Sequence, residues 1–137
     1  MNDAFVLDPH LAADTVPVCD LDLCTVRLMN DARFLWCVLV PRQDGAVELT
    51  DLSEEARTQL MKEIVRVSEA MRAIAPCDKL NTGALGNIVR QLHIHVVARV
   101  EGDAAWPGPV WGSGAAKPYD ESRMSSVVGA LRVSLSV

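Results

Sequence analysis

The chain has 137 residues, of which 50% are hydrophobic and 23% are charged, and its formal net charge is −5. This length and composition predict a single folded domain over residues 1–137 and exclude a disordered chain. The negative charge argues against nucleic acid as a partner, because phosphate-backbone binding needs clustered Lys and Arg, but it leaves a small anionic ligand possible. No apolar run approaches the roughly 20 residues that span a membrane, so no membrane partner is expected.

The four cysteines lie among apolar residues and form no C-x-x-C pair. Buried, reduced thiols are the simplest interpretation, and the N-terminus lacks the pattern of a signal peptide. We therefore expect a cytoplasmic protein. No cofactor is expected.

Strand patterns come first along the chain. Residues 18–29 alternate around Asp20 and Asp22, which predicts two short strands or one bent strand. Residues 35–40 form a continuous apolar run that Pro41 ends, and this is typical of a central strand buried on both faces. The residues before this region show no comparable pattern and are expected to be peripheral.

A long helix is predicted from Asp51 to Ile74. Asp51 or Ser53 can cap its N-terminus, where acidic residues complement the helix dipole. Its apolar residues recur at spacings of four, three, four and three, and are Leu60, Ile64, Val67, Met71 and Ile74. Pro76 ends the helix, after which residues 79–83 predict an edge strand and residues 83–87 a loop.

The last predicted strand contains the segment 91–97. Because side chains alternate across a strand, Gln91, His93 and His95 are predicted to share one face. Residues 100–118 are rich in Gly, Pro and Trp and predict a long loop, followed by a helix from about 119 to 135. With a core over about 18–100, this order predicts an α+β fold: an antiparallel sheet of about five strands covered by the main helix and the C-terminal helix.

The two histidines admit three explanations. They could be ordinary hydrogen-bonded side chains on a half-exposed sheet. They could bind a metal, but Glu101, Asp103 or the distant His10 would have to supply a third ligand, and none lies at a recognisable spacing. Thirdly, a neutral imidazole is a nucleophile near pH 7, and a neighbouring imidazole with the amides of residues 83–87 could bind a phosphate that it attacks.

The segment from Asn81 to Val97 resembles the signature of the histidine triad (HIT) superfamily of nucleotide hydrolases and transferases. That signature is His-φ-His-φ-His-φ-φ, where φ is apolar, preceded by a small loop with Asn and Gly. Here the segment 91–97 reads Gln-Leu-His-Ile-His-Val-Val, so that Gln91 takes the first histidine position. The run from 28 to 42 is similar to the family's polar residue, short loop, buried strand, Pro and basic residue.

The resemblance implies a catalytic role for three residues. His93 would attack the α-phosphate of a nucleoside phosphate derivative and carry the nucleotidyl group until water or another acceptor releases it. His95 would contact the phosphate. Gln91 takes the first histidine position, where an amide can form hydrogen bonds but cannot carry a proton. Activity is expected to survive if this position only orients the middle histidine or its strand, and to fall if it must ionise.

The resemblance also implies substrate contacts. Asn30 would contact the ribose, and Asn81, Gly86 and Asn87 would lie along the phosphate. Trp36 stands where many relatives place a further histidine near the leaving group. An indole cannot act as a general acid at pH 7, and Ile88 likewise replaces a common Ser or Thr, so turnover is expected to be slow or to need a good leaving group.

A subgroup of bacterial HIT-like proteins looks similar in having Gln in the first motif position and a downstream Ala-Trp-Pro-x-Pro-Val-Trp-Gly segment, here residues 105–112. Trp106 and Trp111 either anchor the long loop or stack on a base. The family resemblance implies a homodimer and a small-molecule nucleotide as ligand. Two alternatives stay open beside the enzyme: a nucleotide-binding regulatory protein with weak or lost catalysis, and a metal-binding domain.

Overall fold

The computed structural model describes residues 5–137, so the first four residues of the predicted domain lie outside the described residues. Five antiparallel strands form one sheet in the order β1-β2-β3-β5-β4. The strands are β1 (Thr15–Asp20), β2 (Cys24–Met29), β3 (Leu35–Pro41), β4 (Lys79–Gly83) and β5 (Ile94–Arg99). The predicted α+β class and the strand number are confirmed.

The central strand follows directly from its sequence. β3 lies between β2 and β5, and its residues from Trp36 to Pro41 are all buried. The continuous apolar run therefore has a neighbour on each edge and packing on each face, as predicted. Residues 18–29 form two strands rather than one bent strand, because a turn between Leu21 and Cys24 reverses the chain.

Two long helices cover one face of the sheet. α2 (Glu54–Ile74) begins after Ser53, whose hydroxyl accepts a hydrogen bond from the amide of Ala56 at 3.1 Å. Asp51, the other predicted cap, belongs instead to a short 3₁₀ helix before it. α3 (Glu121–Leu135) begins slightly later than predicted, because the Asp120 carboxylate caps it by accepting from the amide of Arg123 at 2.7 Å.

The core beneath these helices follows the predicted stripe only in part. Leu60, Val67 and Met71 are buried, whereas Ile64 and Ile74 are only partly buried. The stripe also contains Glu63, which is only 2% exposed. Its carboxylate accepts hydrogen bonds from the amides of Leu23 at 2.9 Å and Cys24 at 2.7 Å. These bonds offset the cost of burying a charged group.

The opposite face of the sheet is covered by a short helix and by loops. A second apolar cluster lies there, formed by Leu11, Phe34, Trp36, Val38, Val40, Val97 and Val110. Leu11 belongs to α1 (Pro9–Asp14), and its side chain is only 4% exposed. Through this residue, α1 packs on the cluster. The expectation of a peripheral N-terminal segment is therefore wrong. Asp8 as N-cap and Pro9 as first helical residue form a standard helix start, which could have revealed α1 in the sequence.

All four cysteines are free thiols. Burial, followed by the nearby Cys19, raises the pKa of Cys37 to about 12. Within residues 5–137, none of the helices is both long and apolar enough to cross a membrane.

Candidate active site

A cavity of about 760 Å³ lies on the sheet face opposite α2 and α3. Its walls come from α1, the turn between β2 and β3, the loop before β5 and the long loop after it. His93, His95, Trp36, Asn30 and Asn87 all contribute to its lining. The volume lies within the range of about 300–1,000 Å³ that is usual for small-molecule sites.

The two histidines converge in this cavity, although not in the way that the alternation predicts. β5 begins at Ile94, so Gln91 and His93 precede the strand and the predicted common strand face of three residues does not form. The rings of His93 and His95 nevertheless lie with their centroids 4.9 Å apart and their planes at 74°. Each histidine is only 6% exposed.

The main chain fixes the orientation of His93. Its Nδ1 lies 2.6 Å from the carbonyl oxygen of Gln91. A carbonyl oxygen can only accept a hydrogen bond, so Nδ1 is the donor and carries the proton of the neutral ring. Nε2 of His93 is then left with a free lone pair.

The side chain of Gln91 serves a different purpose. Its Oε1 accepts from the amide of Asp8 at 2.8 Å, and its Nε2 donates to the carbonyl oxygen of Val6 at 2.9 Å. The amide group therefore ties the segment before α1 to the loop before β5. What holds His93 is the Gln91 carbonyl, which any residue at this position supplies.

His95 receives its hydrogen bond from an indole. Nε1 of Trp36, on the neighbouring strand β3, donates to Nδ1 of His95 at 3.0 Å. Because an indole nitrogen can only donate, the proton of the neutral imidazole resides on Nε2. Burial, and secondly the neighbouring His93, lower the pKa of His95 to about 4. At neutral pH, His95 is therefore an uncharged donor through Nε2–H.

Trp111 of the long loop closes the cavity beside His95. Its ring stands edge-on to the imidazole, with centroids 5.4 Å apart. It also lies over Gly83, which pairs with His95 across the sheet: a Cβ at Gly83 would be 3.4 Å from Trp111 Cη2. Its Nε1 is buried without a hydrogen-bond partner among the described residues. Trp106, in contrast, packs against the guanidinium of Arg99, 5.7 Å from its ring centroid.

The loop before β5 forms part of the cavity wall. Residues 85–89 line it, and Gly86 has a φ of +76°, which favours glycine. The amides of residues 85–89 form no hydrogen bond with any described residue. Ile88 is 90% exposed, so its side chain is not packed in the core. The loop therefore carries N–H groups without a partner among the described residues, in the same cavity that both imidazoles line.

The turn between β2 and β3 joins the long loop to the cavity. Asn30 lines the cavity, and its Oδ1 accepts from the amide of Tyr119 at 2.9 Å. Asp31 is 1% exposed and pairs with Arg33 at 2.8 Å, while Arg33 donates to the carbonyl of Ser113 at 3.0 Å. Burial opposes ionisation of Asp31, but the hydrogen bonds, chiefly from Arg33, outweigh it and lower its pKa.

Asp31 and Arg33 belong to the cavity wall but were not among the predicted site residues. The available signal was a pair of opposite charges, two residues apart, directly after Asn30 in a turn that precedes a buried strand.

Asn81 does not reach the cavity. It lies on β4, where its Oδ1 accepts from Arg99 Nη1 at 2.9 Å. Arg99 is only 2% exposed and also donates to both carboxylate oxygens of Asp103, each at 2.8 Å. Asn81 is therefore part of the polar cluster that anchors the start of the long loop.

A metal ion bound by the two histidines would need a third ligand from the protein. Of the residues that could supply a third ligand, Asp103 is bound by Arg99, and His10 lies exposed beside Asp8. Across residues 5–137, no three His, Cys, Asp or Glu side chains are grouped so that they could hold a metal ion.

The fold and the cavity define an α+β protein with two convergent, buried imidazoles beside a glycine-containing loop. The HIT domain matches residues 11–102, and the chain therefore belongs to the HIT family, whose members are nucleotide-binding hydrolases and transferases. The family that the motif indicated is thus confirmed.

Solved structures of histidine triad proteins agree with this assignment over nearly the whole chain. A protein from Bradyrhizobium japonicum is 47% identical, with a TM-score of 0.94 over 96% of this chain and 98% of that one. One from Marinobacter aquaeolei is 44% identical, with a TM-score of 0.93 over 96% of each chain. One from Sinorhizobium meliloti is 42% identical, with a TM-score of 0.94 over 96% and 97%. A search of curated proteins found no significant match.

Proposed function

We propose that the protein is a nucleotide hydrolase or nucleotidyltransferase that acts at the α-phosphate of a nucleoside phosphate derivative through His93. The observation that carries the proposal is the 2.6 Å contact between His93 Nδ1 and the Gln91 carbonyl oxygen. It leaves the Nε2 lone pair as the nucleophile in a cavity of about 760 Å³. We also propose that the chain belongs to the HIT-like subgroup with Gln in the first motif position.

The reaction has two steps. The Nε2 lone pair of His93 attacks the α-phosphorus, the N–P bond forms, and the bond to the leaving group breaks with its electron pair on that group. The resulting nucleotidyl-imidazolium keeps its Nδ1 proton, which is hydrogen-bonded to the Gln91 carbonyl oxygen. Water or another acceptor then attacks phosphorus, the N–P bond breaks with its electrons returning to Nε2, and the acceptor releases its proton to solvent water.

The remaining cavity groups suit the nucleotide. The Nε2–H of His95 and the free amides of residues 85–89 donate to the phosphate oxygens, with Gly86 and Asn87 in that loop. Asn30 contacts the ribose through its amide nitrogen, because its oxygen is occupied by Tyr119. Apolar groups such as Leu11 and Val110 are left to face the base.

The test is AMP release from aminoacyl-linked and phosphoramidate-linked AMP. We expect wild-type protein to release AMP, and His93→Ala to fall to about one-thousandth of that rate or lower, because the nucleophile is lost. His10→Ala is the matched control, since this histidine is exposed on α1 and does not line the cavity. Mass spectrometry of samples that were quenched without acid should show a nucleotidyl adduct on the wild-type protein, and this adduct should be absent from His93→Ala.

A second candidate is a nucleotide-binding regulatory protein with weak or no turnover. The observation that favours it is the pair of Trp36 and neutral His95, neither of which supplies a proton to a leaving group at neutral pH. Measurable nucleotide binding without AMP release, with His93→Ala binding equally well, would support this candidate and contradict the enzyme.

We further propose that the protein is a cytoplasmic homodimer. β4 is an edge strand, so one side of its backbone faces outward, and α2 exposes Met61 at 59% and Val65 at 48%. An open strand edge and exposed apolar side chains on α2 are both features that suit a second copy of the chain. Light scattering should give twice the monomer mass, and Met61→Lys combined with Val65→Lys should reduce it to the monomer. A monomeric wild type would contradict the proposal.

A further inference from the structure

The indole of Trp36 donates a buried hydrogen bond to His95. Nε1 of Trp36 lies 3.0 Å from Nδ1 of His95, and the two ring centroids are 5.6 Å apart at an angle of 59°. Trp36 is 8% exposed and His95 6%. Water therefore has little access to compete for this hydrogen bond, and burial strengthens it.

Aromatic rings surround His95. They are Trp36 from β3, His93 from the segment before β5 and Trp111 from the long loop. No carboxylate among residues 5–137 is hydrogen-bonded to either of its ring nitrogens. A proton on Nδ1 would also face the indole N–H, placing two donors against each other.

We infer that Trp36 is a positioning residue that holds His95 as a neutral donor through Nε2–H, so that the protein favours nucleotide substrates whose leaving group departs as an anion. This inference rests on the proposed function. The Nε2–H bonds a phosphoryl oxygen and stays on the ring through the first step. No proton passes to the leaving group, which takes the electron pair of the breaking bond unaided.

The chemistry of the leaving group follows from this. In an acyl-AMP, the P–O bond breaks and a carboxylate leaves as a stable anion. In an AMP phosphoramidate, the P–N bond breaks and the amine needs a proton to leave. We therefore assign the substrate class as mixed anhydrides of a nucleoside monophosphate, with a carboxylate or phosphate as the leaving group, over phosphoramidates.

The first measurement is the tautomer of His95, read from long-range ¹H–¹⁵N spectra of protein labelled at histidine nitrogens, with His95→Gln to assign the signals. We expect an unprotonated, hydrogen-bonded Nδ1 and a protonated Nε2 at pH 7. In Trp36→Phe, which removes only the indole donor, the Nδ1 signal should lose its hydrogen-bond shift. Trp111→Phe is the matched control: its indole packs against the same imidazole, but its Nε1 has no hydrogen-bond partner among residues 5–137.

A protonated Nδ1 in the wild type would overturn the inference, as would a signal that Trp36→Phe leaves unchanged or that Trp111→Phe changes equally. The measurement needs no substrate. It therefore decides the role of Trp36 even if AMP release fails and the proposed function with it. The wild-type spectrum alone is decisive if Trp36→Phe does not fold.

The second measurement is kinetic. Trp36→Phe should lower kcat by about tenfold with little change in KM, since a misoriented donor weakens stabilisation of charge in the transition state. In a His95→Gln background, the same substitution should change kcat by less than about twofold, because its effect passes through His95. An equal loss in both backgrounds would show a merely structural role and overturn the inference.

The third measurement compares leaving groups. Wild-type protein should release AMP from an acyl-AMP about a hundredfold faster than from a phosphoramidate of similar shape, after subtraction of the rate with His93→Ala. Equal rates would overturn the assignment of the substrate class.

Discussion

The two faces of the sheet are built in different ways. The helix face is packed by α2 and α3, whose buried residues form one continuous apolar cluster with the strands. The cavity face is covered by α1 and by loops, and its buried residues Asp31, His95 and Arg99 are held by side-chain hydrogen bonds. Regular helices fill space, whereas loops held by polar contacts leave room for a ligand. We therefore expect substitutions on the helix face to change stability alone, and those on the cavity face to change activity as well.

The largest effect is expected from Arg99→Met on the cavity face. It leaves Asp103 and Asn81 without their buried partner, which should lower the free energy of unfolding by about 3–5 kcal/mol. The long loop should also lose its anchor, so AMP release per folded molecule should fall. Urea titration measures the stability, and Arg72→Met, at an exposed arginine on α2, should change it by less than about 0.5 kcal/mol. A small loss for Arg99→Met would contradict the importance of this cluster.

Met71→Ala tests the helix face. Met71 is fully buried, so its truncation should cost about 2–5 kcal/mol through lost contacts and a residual cavity. AMP release per folded molecule should stay at the wild-type value, because α2 lies on the other side of the sheet. Glu69→Ala on the same helix, where the side chain is exposed, serves as control and should have little effect. If Met71→Ala changed kcat, the two faces would not be independent.

The pH dependence of stability tests the buried imidazole of the cavity face. Burial, and then His93, lower the pKa of His95 from 6.5 to about 4. As pH falls below 6.5, His95 becomes protonated in the unfolded chain but stays neutral in the folded protein. The stability that is present above pH 6.5 is therefore lost progressively toward pH 4. The loss due to this group should approach about 3 kcal/mol.

His95→Gln removes the titrating group and provides the comparison for that pH dependence. Denaturant titrations at pH 7 and pH 4.5 should show a smaller drop in stability for His95→Gln than for the wild type. Identical drops would show that His95 does not resist protonation.

The smallest effect is expected from Gln91→Ala. The change removes two hydrogen bonds to the segment before α1, each contributing about 0.5–1.5 kcal/mol, but it keeps the carbonyl that orients His93. KM should rise, because α1 supplies Leu11 to the cavity wall, while kcat should stay within about threefold. Gln43→Ala, at an exposed turn, is the control. A large fall in kcat alone would instead give the Gln91 side chain a direct catalytic role.

Much of the fold could be predicted because its signals are local. The apolar run of β3 and the spacing along α2 each lie within one segment, and both elements formed close to their predicted bounds. α1 was missed although its start is also local, since Asp8 and Pro9 mark it. The buried Glu63 could not be foreseen, because its partners are the amides of Leu23 and Cys24, about 40 residues earlier.

The candidate site could be predicted less completely. The sequence placed His93 and His95 near one another, and the structure brings both to one cavity with Asn30, Gly86 and Asn87. The hydrogen bond between Asn81 and Arg99, which keeps Asn81 out of the cavity, was not predicted. Trp111 was recognised as either an anchor or a stacking residue, and its contact with His95 depends on where a loop of many residues returns to the sheet.

By itself, the sequence determined the α+β architecture, the family and the two histidines, because hydrophobic periodicity and a short motif are properties of neighbouring residues. Only the tertiary structure decided what each imidazole nitrogen can do. The proton of His93 is placed by a carbonyl two residues away, outside any strand, and that of His95 by an indole 59 positions away on β3. A hydrogen bond depends on the distance and direction between two atoms, and folding sets these by bringing distant segments together.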